Sequence, residues 1–378
     1  MCIVYDCLFP HTVGGAERWY RNLAERLAAA GHQVTYLTLR QWERGAHAEI
    51  PGVRVMAVGP RMDLYVRGRR RILPPMVFGV GVLWHLARWG GRYDVVHTAS
   101  FPYFSLLAAG LARRLRRFGL VVDWHEVWTK AYWEEYLGLV AGRIGWSVQR
   151  LCLRIPRRSF CFSRLHERRL RRLGLRGELV VLHGLYAGPL DEPDPEPSTS
   201  TVVFAGRHIP EKRVVALVPA IARARQHIPE LRGEIFGDGP DRAALLRAIR
   251  EQGLAGAIEA PGFVAPERLE RALAQALCLA LPSRREGYGL VVVEAAAKGV
   301  PSVVVRDEDN AASELVEEAK NGFVAASAFP DDLAEAILRV HRAGPQLRRS
   351  TAEWFARNAQ RLSLDRSLDV VVAMYADS

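Results

Sequence analysis

The stretch from 187 to 200, AGPLDEPDPEPSTS, constrains what this chain can fold into more than any other. Four prolines and four acids fall within it, and a Ser/Thr cluster closes it. Proline supplies no backbone donor and crowded acids resist burial, so the stretch lacks the apolar periodicity of a helix or a core strand. It reads as an interdomain linker. In a chain of 378 residues it leaves two flanks, each long enough to bury a core of its own.

On both sides, short β-branched runs alternate with amphipathic helical stretches, the pattern of parallel-sheet α/β domains. Before the linker, strands are expected at Cys2–Asp6, Gln33–Leu39, Val53–Val58, Asp94–His97, Leu120–Trp124, Ser159–Phe162 and Leu179–Leu182. After it they are expected at Thr201–Ala205, Arg232–Phe236, Ala257–Ala260, Leu277–Leu281, Ser302–Val305 and Gly322–Val324. The most regular helices cover Ala16–Ala30, Asp241–Glu251 and Leu333–Arg342. The fold class is therefore α/β, with two Rossmann-like domains facing a central cleft. Residues 1–186 form the first domain, 187–200 the linker and 201–345 the second domain. Residues 346–378 are expected to be helices that return to the first. Ligands of such sheets bind beyond the carboxyl ends of the strands, which directs attention to the residues just after each strand.

After the first strand, Gly14-Gly15-Ala16-Glu17-Arg18 opens a helix, where bare glycines admit a ligand and free N–H groups suit an anion. The full G-x-G-x-x-G fingerprint is absent, which argues against a dinucleotide cofactor. After the strand TVVFA come Gly206, Arg207 and Lys212; the Arg offers a planar fork and the Lys a point charge to one polyanion. Further on, Pro282-Ser283-Arg284-Arg285-Glu286-Gly287-Tyr288-Gly289-Leu290 leads through a glycine-rich turn into a helix carrying Glu294. Two carboxylates thus flank a turn whose N–H groups face an anion, although acids near a helix start also serve as plain dipole partners. His97, at a strand end, is a second cleft candidate, although a lone histidine there is more often a core residue.

These segments resemble the retaining, GT-B-fold nucleotide-sugar glycosyltransferases of family 4, the glycosyl transferases group 1. The matching pieces are GGAER with NLAERLAAAGHQVTYLT, AGRHIPEKR, FGDGP, PGFV, PSRREGYGLVVVEAAAKGVPSVV and ELVEEAKNGFV. The likeness runs nearly end to end and is strongest from Thr201 to Val324. It implies that Arg207 and Lys212, beside Gly206, hold the donor diphosphate. It also implies that the turn Gly287, Tyr288, Gly289, Leu290 donates N–H groups to diphosphate and sugar. Glu286 is implied to bind sugar hydroxyls, Glu294 the ribose, and Gly262, Phe263 and Val264 the base. In the first domain, Gly14 and Gly15 are implied to approach the diphosphate or the acceptor, and His125 to sit beside the transferred sugar. His125, Arg207, Lys212 and Glu286 form the expected catalytic set. The chain departs from the family where Glu126 follows His125, where His183-Gly184 ends the first domain, and at Asn310-Ala311-Ala312.

Charge is divided between the halves. Residues 1–190 hold 29 Lys and Arg against 13 Asp and Glu, and residues 191–378 hold 23 against 28, giving +16 and −5 within a net charge of +11. A polyanionic surface is therefore expected to meet only the first half. Arg67, Arg69, Arg70 and Arg71 precede the apolar segment ILPPMVFGVGVLWHLARW, and arginines also cluster at 113–117 and 168–172. The run free of charges from Ile72 to Ala87 is 16 residues, below the roughly 20 that span a bilayer. Peripheral contact with anionic lipid is the expectation, on a cytoplasmic protein without a visible secretory signal. No motif for nucleic acid accompanies the charge. Five cysteines without C-x-x-C spacing read as reduced thiols. Asp307-Glu308-Asp309 has the form of a D-x-D metal clamp but reads as a loop, since cations already answer the diphosphate.

The expected activity is transfer of a sugar from a nucleoside diphosphate sugar to a glycan or lipid-linked acceptor, with no metal or resident cofactor. The alternatives are a non-hydrolysing sugar-nucleotide 2-epimerase and a non-catalytic nucleotide-sugar-binding or membrane scaffold protein.

Overall fold

A computed structural model describes residues 1–43, 45–66, 69–195 and 198–376. Arg67 of the first arginine cluster and Glu196 and Pro197 of the linker lie outside the described residues. The chain divides into two compact units. One comprises Met1–His183 with the segment from Asp365 onward, and the other Gly184–Leu364.

The first unit is built on β1 (Cys2–Val4), β2 (Val34–Thr38), β3 (Val53–Ala57), β6 (Val95–Ala99), β7 (Gly119–Trp124), β8 (Arg158–Cys161) and β9 (Glu178–Val181). All pair in parallel, in the order β3-β2-β1-β6-β7-β8-β9. A short antiparallel pair, β4 (Tyr65–Val66) and β5 (Arg69–Arg70), stands apart from the sheet. Helices α1 (Gly15–Ala29), α2 (Leu73–Trp89), α3 (Phe104–Leu115), α4 (Lys130–Leu137), α5 (Leu139–Cys152) and α6 (Arg164–Arg172) supply the crossovers. Helix α1 shows why: Trp19, Tyr20, Leu23 and Leu27 recur at helical spacing and are all buried. Thr129 and Ser163 cap α4 and α6, their hydroxyls accepting the N–H groups of Tyr132 and His166.

The second unit has β10 (Thr201–Ala205), β11 (Arg232–Phe236), β12 (Ile258–Gly262), β13 (Cys278–Leu281), β15 (Ser302–Val305) and β17 (Gly322–Ala325), in the order β12-β11-β10-β13-β15-β17. Strands β13 and β15 are buried along their whole length, as expected of a parallel strand covered on both faces. The helices are α7 (Leu217–Ala224), α8 (Arg242–Glu251), α9 (Pro266–Gln275), α10 (Leu290–Ala296) and α11 (Pro330–Leu362). Helix α11 breaks at Gly344, where φ is +57°, with Pro345 next in the chain. Both parallel sheets match the sequence expectation, and the strand ends agree within two residues. The hairpin β4–β5 and a parallel pair of β14 (Arg285–Glu286) with β16 (Asp309–Asn310) were not visible in the sequence.

The final helix, α12 (Leu364–Ala376), groups with the first unit from Asp365 on. Arg26 of α1 pairs with Asp365 at 3.2 Å and Asp369 at 2.6 Å, both exposed contacts of small energetic weight. The stronger tie is internal, because the Tyr375 hydroxyl hydrogen-bonds Nδ1 of the buried His97. Tyr375→Phe should leave that nitrogen unpartnered and cost about 1–3 kcal/mol, read as a lower urea midpoint with an unchanged slope.

Candidate functional site

In each sheet the strand order reverses once, between β1 and β6 in the first unit and between β10 and β13 in the second. Crossover helices leave such a switch point on opposite faces, so a crevice opens at the carboxyl ends of the two strands. The singled-out residues fall there. Gly206, Arg207 and Lys212 follow β10, Ser283 and Glu286 follow β13, and Gly14 and Gly15 follow β1.

In the second unit the cationic and acidic residues expected from sequence meet. The Lys212 ammonium pairs with Oε1 of Glu286, and the Ser283 hydroxyl donates to the same oxygen at 2.7 Å. Glu286 is buried, so this carboxylate is held by a cation and a hydroxyl in place of water. Asn310 fixes the surrounding turn. Its side-chain N–H groups donate to Ser283 O at 3.1 Å and Val305 O at 2.8 Å, and its Oδ1 accepts from Ala312 N at 3.1 Å. Gly289 sits at φ +99° before α10, and a Cβ there would lie 2.5 Å from Ala312 Cβ. The turn therefore requires glycine both for its backbone angle and for its contact with the Asn310 loop.

Other expected residues lie apart from that cluster. Arg207 is exposed, and among the described residues it makes no ion pair. Gly262 ends β12, its carbonyl accepting from Gly237 N at 2.9 Å; Phe263 beyond it is exposed and Val264 half-buried. Tyr288 is buried, and burial raises its phenol pKa, so its place in the turn is a packing position for the ring. Glu294 is half-buried on α10. In the D-x-D-like segment, Asp307 accepts from Arg213 at 3.1 Å and Asp309 is buried in β16.

In the first unit Gly14 precedes α1, and a Cβ on it would lie 2.3 Å from Glu17 Oε2, whereas Gly15 has open space. His125, just after β7, stacks on Phe162 with ring centroids 4.6 Å apart and meets the edge of Tyr20. Its Nε2 is buried without a hydrogen-bond partner. Beneath it lies Asp123, which the sequence reading passed over although it is an acid inside a buried strand. Its Oδ1 is 2.8 Å from His97 Nε2, and its Oδ2 accepts from Trp19 Nε1 at 2.7 Å. Burial disfavours the carboxylate, but His97, His125 and the Trp19 N–H outweigh it and hold its pKa below the ordinary range. Burial also lowers the His125 pKa, more than Asp123 and Glu126 raise it.

The arginine clusters divide differently from the sequence expectation. Arg70 is not a surface charge. It pairs with the buried Asp6, and its guanidinium lies 5.5 Å from the Phe101 ring centroid. Arg169 donates to Val127 O at 3.1 Å and Arg171 pairs with Glu167.

Residues 14–184 match the family model described as glycosyl transferase 4-like domain, and residues 192–360 the one described as glycosyl transferases group 1. Over 144 residues the chain is 32% identical to a Mycobacterium tuberculosis protein named GDP-mannose-dependent alpha-(1-6)-phosphatidylinositol monomannoside mannosyltransferase, covering 36% of this chain and 37% of the relative. The chain spans less than half the length of several curated relatives it matches, 15% of one and 45% of another. Among solved structures it resembles a sucrose-phosphate synthase from Thermosynechococcus elongatus, with TM-score 0.79, 20% identity and coverage of 100% and 98%. It also resembles Anabaena HepE in complex with UDP and glucose, with TM-score 0.73, 17% identity and coverage of 100% and 99%. These likenesses give the fold, two Rossmann-like domains of GT-B type.

The depressed pKa of His125 carries a pH signature. The folded state keeps the imidazole neutral while the unfolded chain protonates it below the ordinary 6.5, so stability falls as pH drops through that value. For Asp123 the stability is present above the ordinary 3.8 and is lost as pH falls below it. His125→Gln should flatten the loss below pH ~6.5 by up to about 1.4 kcal/mol per pH unit, measured by urea unfolding at stepped pH.

Proposed function

Because the chain belongs to the glycosyl transferases group 1 family, we propose that it moves a sugar from a nucleoside diphosphate sugar to a hydroxyl of an acceptor. The observation that carries this reading is the Lys212–Glu286–Ser283 cluster at the β10/β13 switch point. A cation beside a buried carboxylate suits a ligand that is a polyanion at one end and a polyol at the other. Lys212 and Arg207 take the diphosphate, while Glu286 accepts from the sugar hydroxyls and exchanges Lys212 for them. The Gly287–Leu290 turn supplies N–H groups to the diphosphate, Glu294 holds the ribose, and Gly262 to Val264 border the base. A neighbouring structure named as holding UDP and glucose supports the donor class.

The reaction breaks the bond between the anomeric carbon and the diphosphate oxygen. Arg207 and Lys212 stabilise the charge growing on the leaving oxygen, which is where catalysis is most effective. The acceptor oxygen bonds to the same carbon on the same face, and its proton passes to the departing phosphate, so configuration is retained. The Arg207 guanidinium and the Lys212 ammonium answer the charge in this reading, which calls for no metal or resident cofactor. The acceptor, taken by the first unit, is a lipid-linked or membrane-proximal glycan, on a protein held at the cytoplasmic membrane face. The lipid named in the mannosyltransferase relative supports that class.

The test incubates the protein with UDP-, GDP- and dTDP-sugars, with and without a membrane lipid extract, and quantifies free nucleoside diphosphate by mass spectrometry. One donor should be consumed, faster with the extract. Glu286→Ala should abolish release, and Ser283→Ala should slow it about fivefold, the worth of one hydrogen bond. Full release by the Glu286 variant would refute the site assignment, and an isomerised donor would point to an epimerase.

A further inference from the structure

Ten of the fourteen large apolar side chains that stand exposed among the described residues lie on three helices, α2, α3 and α5. The connections β3 to β6, β6 to β7 and β7 to β8 all step the same way along the sheet. Right-handed crossovers therefore place these helices on one face, opposite α1, whose connection steps the other way. They abut in order. Gly79 of α2 lies directly against Phe104 of α3, and Gly110 of α3 against Ile155 just beyond α5.

The outward side of this layer is apolar. Val80 and Trp84 on α2, Leu111 and Leu115 on α3, and Val140 and Ile144 on α5 are 49–73% exposed. A layer so apolar on its solvent side exceeds what a monomer scatters over its surface and marks a contact surface. Its charge shows which contact. The three helices carry Arg88, Arg113, Arg114, Arg143 and Arg150 and not one Asp or Glu, Arg143 pairing with Glu134 of α4 at 3.2 Å. Among the described residues no helix is long and apolar enough to cross a membrane. Helices with an apolar outer side and arginines alone for charge fit the boundary of an anionic bilayer, where side chains enter the acyl region and guanidinium groups meet phosphate.

We propose that the outer face of α2, α3 and α5 is a docking surface for an anionic lipid bilayer, lying on it without spanning it. This deepens the membrane-proximal reading above and rests on it, but moves the contact. The arginine cluster before α2, which the sequence pointed to, has Arg70 committed to Asp6 inside the unit.

The experiment is co-sedimentation of the full chain with vesicles of phosphatidylglycerol or of phosphatidylcholine. The protein should bind phosphatidylglycerol vesicles about tenfold or more tightly, and high salt should release it. Val80→Ser with Trp84→Ser, and separately Val140→Ser with Ile144→Ser, should each weaken binding about tenfold. Arg113→Gln with Arg114→Gln should erode the preference for anionic lipid. Five of the six positions are exposed and Arg113 is half-buried, and unchanged melting curves would show the variants folded. Indifference of the wild type to both vesicles, or binding by both serine pairs equal to wild type, would overturn the proposal. So would a lipid-free dimer, seen by light scattering, that the serine pairs dissolve, since a second copy would then own the face. Nucleoside diphosphate release, measured without vesicles but with the detergent-dispersed lipid extract as acceptor source, separates this from the transferase reading. Vesicle binding with no release from any donor would sink only the transferase, and release without vesicle binding only the docking surface.

Discussion

A single buried carboxylate organises the first unit. Asp123 has no access to water, so both of its oxygens must be answered from within, and the answers come from different parts of the chain. Trp19 arrives from α1 and His97 from the neighbouring strand, and His97 in turn engages Tyr375 from α12. An unpaired charge in this position would cost several kcal/mol, so the strand, both helices and the imidazole are bound to one arrangement. His125 is two residues further along the same strand end, and its ring is held by Phe162 and Tyr20 above that arrangement. A polar network under the carboxyl edge of the sheet thus fixes the position of that histidine.

The second unit solves the matching problem with opposite means. There the charged groups are kept near one another at the crevice, where Lys212 and Ser283 satisfy Glu286. Lys212 and Glu286 reach the same place from separate strands because parallel topology puts both strand ends on one edge. Asn310 makes that edge precise, bonding to the loop on either side of it. A carboxylate prepared in this way loses no solvation when it binds a hydroxyl, since its water has already gone.

Much of this was legible from residue order. Strand runs such as TVVFA and SVVV are β-branched and bounded by turn residues, so their positions follow from local chemistry, and the topology of parallel sheets then fixes where chemistry can sit. Lys212 and Glu286 were singled out separately from spacing and family likeness, and their pairing appears only in the fold. The meaning of individual polar residues was less legible. Asp123 is an acid in the midst of VVDWH, which should have marked it as paired, but its partners are far off in sequence. Arg70 looked like one of a run of surface charges because neighbours in sequence share no side-chain environment in a hairpin. The three helices of the outer face each resemble ordinary packed helices alone, and only the sheet order shows that their exposed sides are adjacent. Long-range pairings of this kind leave no local pattern to read.

The membership of α12 in the first unit has a consequence for how the protein is made. Tyr375 leaves the ribosome only after the whole of Gly184–Leu364 has been synthesised. Until then His97 Nδ1 lacks the Tyr375 hydroxyl, although Asp123 and Trp19 are already in the chain. The second unit is contiguous and the first is not, so the unit that begins the chain is the last to have all of its residues synthesised.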